Sequence, residues 1–234
     1  MSSPSDRAFL AYRAPDGATA MTPPASGEAP SRADVLRASP RMFESGALDR
    51  LSRVHHLVPV AIFVPAIAVL AALALDREAA AVAVAWAAAG WLFWTFSEYW
   101  IHRLVFHFEP DQGPGARLHW IVHGVHHDHP NDPLRLVMPP SVSVPLASAY
   151  VAAFIVVLGP AAGFALGAGF LAGYLAYDML HYHLHHGQPR TSLGRRLREL
   201  HMRHHFQDDS RGFGISAPFW DNVFRTAPAR ARRG

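Results

Sequence analysis

Ten histidines stand in four short groups whose spacing suits metal binding. His102 and His107 form H-x4-H, and His123, His126 and His127 form H-x2-H-H. His181 and His185 form H-x3-H, and His201, His204 and His205 repeat H-x2-H-H. On a helix, residues three and four apart share a face. Each H-x2-H-H unit therefore presents its imidazoles on one side, enough to grip one ion or bridge two, and His181 and His185 share a face in the same way. The five-residue step from His102 to His107 fits no single helical face, so the helix is expected to end or unwind between them. Ten imidazoles are too many for one ion; two ions suit the count.

The chain has no cysteine among its 234 residues. Disulfides, thiolate-ligated haem, iron–sulfur clusters and Cys-based zinc sites are thereby excluded, and any metal falls to imidazole or carboxylate. Imidazole accepts zinc, iron, copper or nickel, so ligand type alone does not choose the ion. No histidine is followed by glutamate, which excludes the H-E-x-x-H protease helix. A bis-imidazole haem protein needs His pairs inside opposing spans, whereas these groups lie at or beyond the span ends. All-imidazole dimetal sites at a bilayer surface suit O2 activation by iron. His55, His56, His119, His129, His183 and His186 read as surface or interface residues, with His119 and His186 as candidate partners of ligand rings.

The elements that position these groups are apolar. Half of the residues are hydrophobic and 17% are charged. The apolar residues concentrate in two blocks. Val58–Leu75 and Ala79–Ser97 flank Asp76-Arg77-Glu78, and Val142–Leu158 and Ala161–Leu180 flank Gly159-Pro160. Each stretch is near the roughly 20 residues that a spanning helix needs. The expected fold is an all-α integral membrane protein of four transmembrane helices in two hairpins, with a cytoplasmic His-rich helical cap holding a dimetal site. Residues 1–41 read as a disordered arm, 42–227 as one membrane-embedded domain and 228–234 as a disordered basic tail. Met42–Val54 suits either a short amphipathic surface helix or a linker.

All 21 basic residues are arginine, and the net charge is +3. They form no stripe interleaved with exposed aromatics, which argues against nucleic acid. They gather instead in the arm, the 98–141 segment and the tail. By the positive-inside rule these three segments, both termini and every histidine face the cytoplasm.

Several segments resemble the fatty acid hydroxylase superfamily, and within it the fatty acid 2-hydroxylases. They are EYWIHRLVFH (98–107), HGVHHDHPNDPLRLVMPP (123–140), GYLAYDMLHYHLHH (173–186), HMRHHF (201–206) and GFGISAPFWDNVFRT (212–226). The resemblance covers about residues 85–227. It implies a membrane monooxygenase that hydroxylates carbon 2 of a free or amide-linked acyl chain, with two iron ions held by the ten histidines and O2 as co-substrate. Zinc would readily take the same site. The resemblance also implies catalytic roles for Tyr177 and Asp178 and, one turn earlier, Tyr174; on a helix Tyr174, Asp178 and His181 share a face, placing Asp178 to orient a ligand ring. Many relatives carry an N-terminal cytochrome b5 domain. The first 55 residues here have neither its length nor its haem motif, so a separate cytochrome b5-like or ferredoxin-type electron donor is expected, with Arg190, Arg195, Arg196 and Arg198 as a docking patch. Other chemistries open to such a centre are sterol, sphingoid-base or carotenoid hydroxylation and lipid desaturation. A metal transporter is disfavoured, because no span carries an acidic or His pathway through its middle.

Overall fold

A computed structural model describes residues 30–110 and 112–229. The regular structure among these residues is helical throughout. Of the expected arm at 1–41 and tail at 228–234, residues 1–29 and 230–234 lie outside the described residues. Residues 30–41 include a short helix, α1 (Arg32–Arg37), started by a capping box between Ser31 and Asp34. α2 (Gly46–Leu51) follows in the segment where a surface helix or linker is expected. It leaves Leu48 and Leu51 exposed and turns Asp49 inward, where Arg135 reaches it at 3.0 Å.

Among the described residues, four helices are long and apolar enough to cross a membrane. They are α3 (Leu57–Leu75), α4 (Ala80–Ile101), α7 (Pro140–Leu158) and α8 (Pro160–His186). α3 and α4 form one hairpin, α7 and α8 the other. The second hairpin turns at Gly159, whose φ of 80° is a conformation that glycine adopts without steric cost. Val84, Val156 and Val157 are 66%, 84% and 77% exposed, which leaves the outer face of the bundle as apolar as its interior. Such a surface is stable only against lipid tails.

α8 is the central helix. α3, α4 and α7 all pack against it, while α4 and α7 scarcely touch each other. Small residues explain the close approach. A Cβ at Gly169 would overlap the carbonyl of Ala87 on α4, and one at Gly90 would overlap that of Leu166 on α8. In lipid, where there is no hydrophobic drive between helices, such backbone proximity supplies the dispersion energy of association.

The expected spans stop short of the observed helices. α4 continues beyond Ser97 into a π-helical turn, His102–Phe106, and α8 continues six residues beyond Leu180 to His186. Both extensions carry histidines. The cap at this end consists of α5 (Gly113–His119), a second π turn (Trp120–Gly124), α6 (Val125–Asp128), α9 (Ser192–Phe206) and α10 (Phe219–Val223). α9 buries Leu197, His201 and His204, which share the one face that packs inward.

Candidate metal centre

The helix does not end or unwind between His102 and His107, as their spacing suggested. It widens. His107 N–H donates to the carbonyl of His102 at 3.1 Å, a bond spanning five residues. A π turn brings residues five apart onto one face, so both imidazoles point the same way. π turns of this kind recur at functional sites.

The ten expected ligands fall into two groups of five. His102, His107, His123, His127 and His204 form group A; His126, His181, His185, His201 and His205 form group B. Within each group the candidate ligand nitrogens lie within 4.8 Å of one another. The two pairs each serve one group. The two H-x2-H-H units straddle both: the first sends His123 and His127 to A and His126 to B, the second His204 to A and His201 and His205 to B. The rings interleave across the boundary, with His127 stacked on His205 at 4.3 Å between centroids. His55, His56, His119, His129, His183 and His186 belong to neither group.

The donor set fits bound cations. In group A, Nε2 of His102 lies 3.2 Å from that of His123, and Nε2 of His107 lies 3.1 Å from that of His204. In group B the corresponding distance between His185 and His201 is 2.8 Å. Such spacings suit nitrogens that would face a common cation. His126 Nε2 and His181 Nε2 are buried without a hydrogen-bond partner, a costly state for a polar atom unless it ligates a cation.

Outer contacts fix the rings. His102 Nδ1–H donates to the carbonyl of Phe213 at 2.8 Å, and His204 Nδ1–H to that of Arg211 at 2.7 Å. These bonds place the proton on Nδ1 and leave the Nε2 lone pair facing the group centre. Glu109 Oε1 stands 3.5 Å from His107 Nδ1 and 3.7 Å from His119 Nε2. Glu109 thus stands between His119 and a ring of group A. His186 packs its ring 6.4 Å from that of His185 and 4.7 Å from that of Tyr182. Burial pushes the His107 imidazole down to about 3. Burial likewise holds His123, His126, His127, His201, His204 and His205 below the ordinary range. Neutral rings are the form that binds metal.

The loop carrying those carbonyls is organised by Asp221, a role its residue type alone did not reveal. Buried Asp221 accepts from Phe213 N–H and Gly214 N–H, each at 2.9 Å, and from Thr226 Oγ1–H at 2.8 Å. The loop is also tied to α4, because buried Glu98 accepts from Ser216 N–H at 2.8 Å and from the Ser216 hydroxyl. The only sequence signal for either carboxylate is a charge inside an otherwise aromatic segment, EYW or FWDNVF.

A mostly apolar cavity inside the bundle runs up to the two groups. Its lining includes Trp94, Phe106, Leu146, Tyr150, Tyr174 and Tyr177. Phe106 stacks on His123 of group A at 4.9 Å, and Tyr177 on His181 of group B at 5.8 Å. Tyr174 O–H donates to Asp178 Oδ2 at 3.3 Å. Asp178 therefore lies beside the tyrosine rather than in either ligand group.

The fatty acid hydroxylase family profile matches residues 87–226, the stretch that contains all ten histidines. The chain belongs to the fatty acid hydroxylase family. It is similar to the dihydroceramide fatty acyl 2-hydroxylase FAH2 of Arabidopsis thaliana, 35% identical over 190 residues covering 81% of this chain and 80% of that protein. It is also similar to the ceramide very long chain fatty acid hydroxylase SCS7 of Saccharomyces cerevisiae, 36% identical over 58% of this chain and 36% of that one. A solved structure of full-length scs7p, with only its hydroxylase domain visible, superposes with a TM-score of 0.78 at 32% identity, covering 82% of this hydroxylase and 74% of that chain.

Proposed function

We propose that this hydroxylase adds a hydroxyl group to carbon 2 of an amide-linked acyl chain in a ceramide-type lipid. The observation that carries the reading is the cavity: a mostly apolar space within the bundle, two of whose lining rings, Phe106 and Tyr177, stack on members of the two histidine groups. A chain lying in it with its headgroup toward the cap brings a carbon near the carbonyl to the metals, which suits carbon 2 better than positions far down the tail. The names of the similar proteins agree with an acyl 2-hydroxylase on a ceramide.

Two iron ions, one per group, would supply the reduction of O2 and the oxygen atom delivered to carbon. Five candidate imidazoles per group exceed the four ligands of a closed zinc site, which favours iron. The protein's own contribution is placement and exclusion of water. The apolar walls hold the chain in one orientation, which converts a bimolecular encounter into a positioned one. Tyr174, Tyr177 and Ser143 are the hydroxyl-bearing lining residues at the metal end, placed to bind the amide of the headgroup. Asp178 accepts the Tyr174 proton and so fixes the hydroxyl's direction.

Electrons come from a separate carrier, a cytochrome b5-like or ferredoxin-type protein. Of the four arginines of the expected docking patch, Arg198 donates to the Gly187 carbonyl at the end of α8 and Arg196 pairs with Glu199 at 3.0 Å. The patch is therefore best tested by neutralising Arg190, Arg195 and Arg196, leaving Arg198 in place. Turnover with the protein donor should fall while turnover with a small chemical reductant holds; equal loss with both sinks the docking assignment. Arginine distribution supports a cytoplasmic cap and cytoplasmic termini.

The reading is tested by lipid mass spectrometry of a host expressing the protein, beside a His126→Ala, His127→Ala variant that strikes one ligand in each group. Acyl chains gaining one oxygen at carbon 2, absent from the variant, support it. A new double bond, or a hydroxyl on a sterol or sphingoid base, moves the chemistry to another lipid.

A further inference from the structure

The cavity is too short for a very long acyl chain. Its lining runs from Tyr177 back to Phe170 along α8, about 10 Å, and from Phe106 back to Trp94 along α4 and its π turn, at most about 18 Å. An extended chain advances about 1.25 Å per carbon, given a C–C bond near 1.5 Å and a near-tetrahedral angle. About eight to fourteen carbons fit beyond the metal end.

The far end is a wall of rings. Tyr150 of α7 lies 4.6 Å from Phe170, Phe154 packs 5.4 Å from Phe170, and Phe93 of α4 meets Phe154 at 5.8 Å. Behind this wall the helices touch backbone to backbone: a Cβ at Gly163 would overlap the main chain of Phe154 and Ile155. The cavity has no room to deepen along the bundle axis. Its weak side is lateral. α4 and α7 meet through Phe93 and Phe154 but make few close backbone approaches, and Leu146 both lines the cavity and is 40% exposed on the lipid face.

We propose that the enzyme selects its acyl chain on the carbons nearest the headgroup alone. About ten to sixteen carbons, counting the two at the metal end, lie inside the cavity; the ring wall headed by Tyr150 stops them, and the remaining tail passes between α4 and α7 into the bilayer. Tyr150 is thus a specificity-determining residue, and the enzyme is tolerant of tail length but intolerant of a kink near the carbonyl. The inference rests on the acyl 2-hydroxylase reading.

The test feeds an expressing host with saturated chains of medium and very long length, and with chains carrying one cis double bond near either the carbonyl or the methyl end. The hydroxylated fraction of each is then measured by mass spectrometry. Medium, very long and distally unsaturated chains should be hydroxylated within about twofold of one another, and the proximally kinked chain roughly tenfold less, the scale of discrimination a fitted apolar pocket provides. Tyr150→Ala, which opens the wall, should recover much of that loss, whereas Tyr150→Phe should not. Equal use of the two unsaturated chains, or a sharp length cut-off, overturns the inference. If Tyr150→Ala does not accumulate with its metals bound, the substrate series on the unaltered protein still decides. Failure to hydroxylate any saturated chain would instead strike the functional reading beneath it.

Discussion

Replacing Asp221 by asparagine removes a charge from the residue that holds the C-terminal loop against the metal centre. The carboxylate is 2% exposed and accepts from two backbone amides and one hydroxyl. Oδ1 serves Phe213 N–H and Thr226 Oγ1–H, and Oδ2 serves Gly214 N–H. An asparagine oxygen can replace only one of these atoms. If it replaces Oδ1, the amide NH2 faces the Gly214 N–H, donor against donor. One charge-assisted bond is lost and a buried donor is orphaned, while the other two bonds fall to neutral strength; the sum is about 3–5 kcal/mol. Part of that appears as a displaced Phe213 carbonyl, the acceptor that orients His102. Loss of such an outer contact weakens metal binding by about 10–100-fold, or about 1.4–2.7 kcal/mol. Competition with a graded chelator, read as ions retained per chain alongside thermal unfolding in detergent, measures both effects. One ion should be released at lower chelator strength and the other should hold, because His102 belongs to group A alone. A folded Asp221→Asn protein that keeps both ions at unaltered affinity refutes the reasoning.

Because the H-x2-H-H units straddle the groups, His127→Ala and His126→Ala should each lose one ion of two, and different ones; elemental analysis showing both lost or both kept from either variant contradicts the assignment. Acid should strip the metals and destabilise the fold: burial holds His107 at about 3, against 6.5 for an ordinary imidazole. The unfolded chain therefore takes up protons that the folded chain refuses, and stability falls as pH drops below about 6.5 while staying level above about 7.5. A melting temperature that rises on acidification would reverse the sign. Gly169→Ala forces a methyl group into the Ala87 carbonyl and should cost about 1–3 kcal/mol by overpacking, seen as earlier unfolding in detergent with metal stoichiometry intact. Arg135→Met takes one 3.0 Å partner from buried Asp49 but leaves it Arg53 at 3.2 Å, and should cost about 1.5–3 kcal/mol; an unchanged melting point would show the pair to be dispensable.

The four spans and the ten candidate ligands were legible in the sequence because most rest on a local, periodic signal: apolar length for the spans, three- and four-residue steps for eight of the histidines. What the periodicity of an ordinary α-helix misread is the His102–His107 step, since a π turn changes the number of residues per turn and is not encoded by any one residue type. Which ion each histidine serves was not legible either. His126 and His127 are neighbours in the chain yet face different groups, and that division is set by how α6 is inserted between α8 and α9. Asp221 and Glu98 stayed hidden for a related reason: their partners, Phe213, Gly214, Thr226 and Ser216, are contacts made by the folded loop, and Ser216 is distant from Glu98 in sequence. The lengthening of α8 to His186 follows from its ligands, because His181 and His185 reach one ion only if the helix that carries them persists past the apolar stretch.

The central claim is that the two histidine groups deliver an oxygen atom from O2 to carbon 2 of an acyl chain. Growing the expressing host under oxygen-18 gas and fragmenting its amide-linked lipids tests it most directly. The account predicts one oxygen-18 atom in a hydroxyl at carbon 2, lost together with the metals in the His126→Ala, His127→Ala variant. A carbon-2 hydroxyl whose oxygen comes from water, or labelled product that persists without the metals, would contradict it.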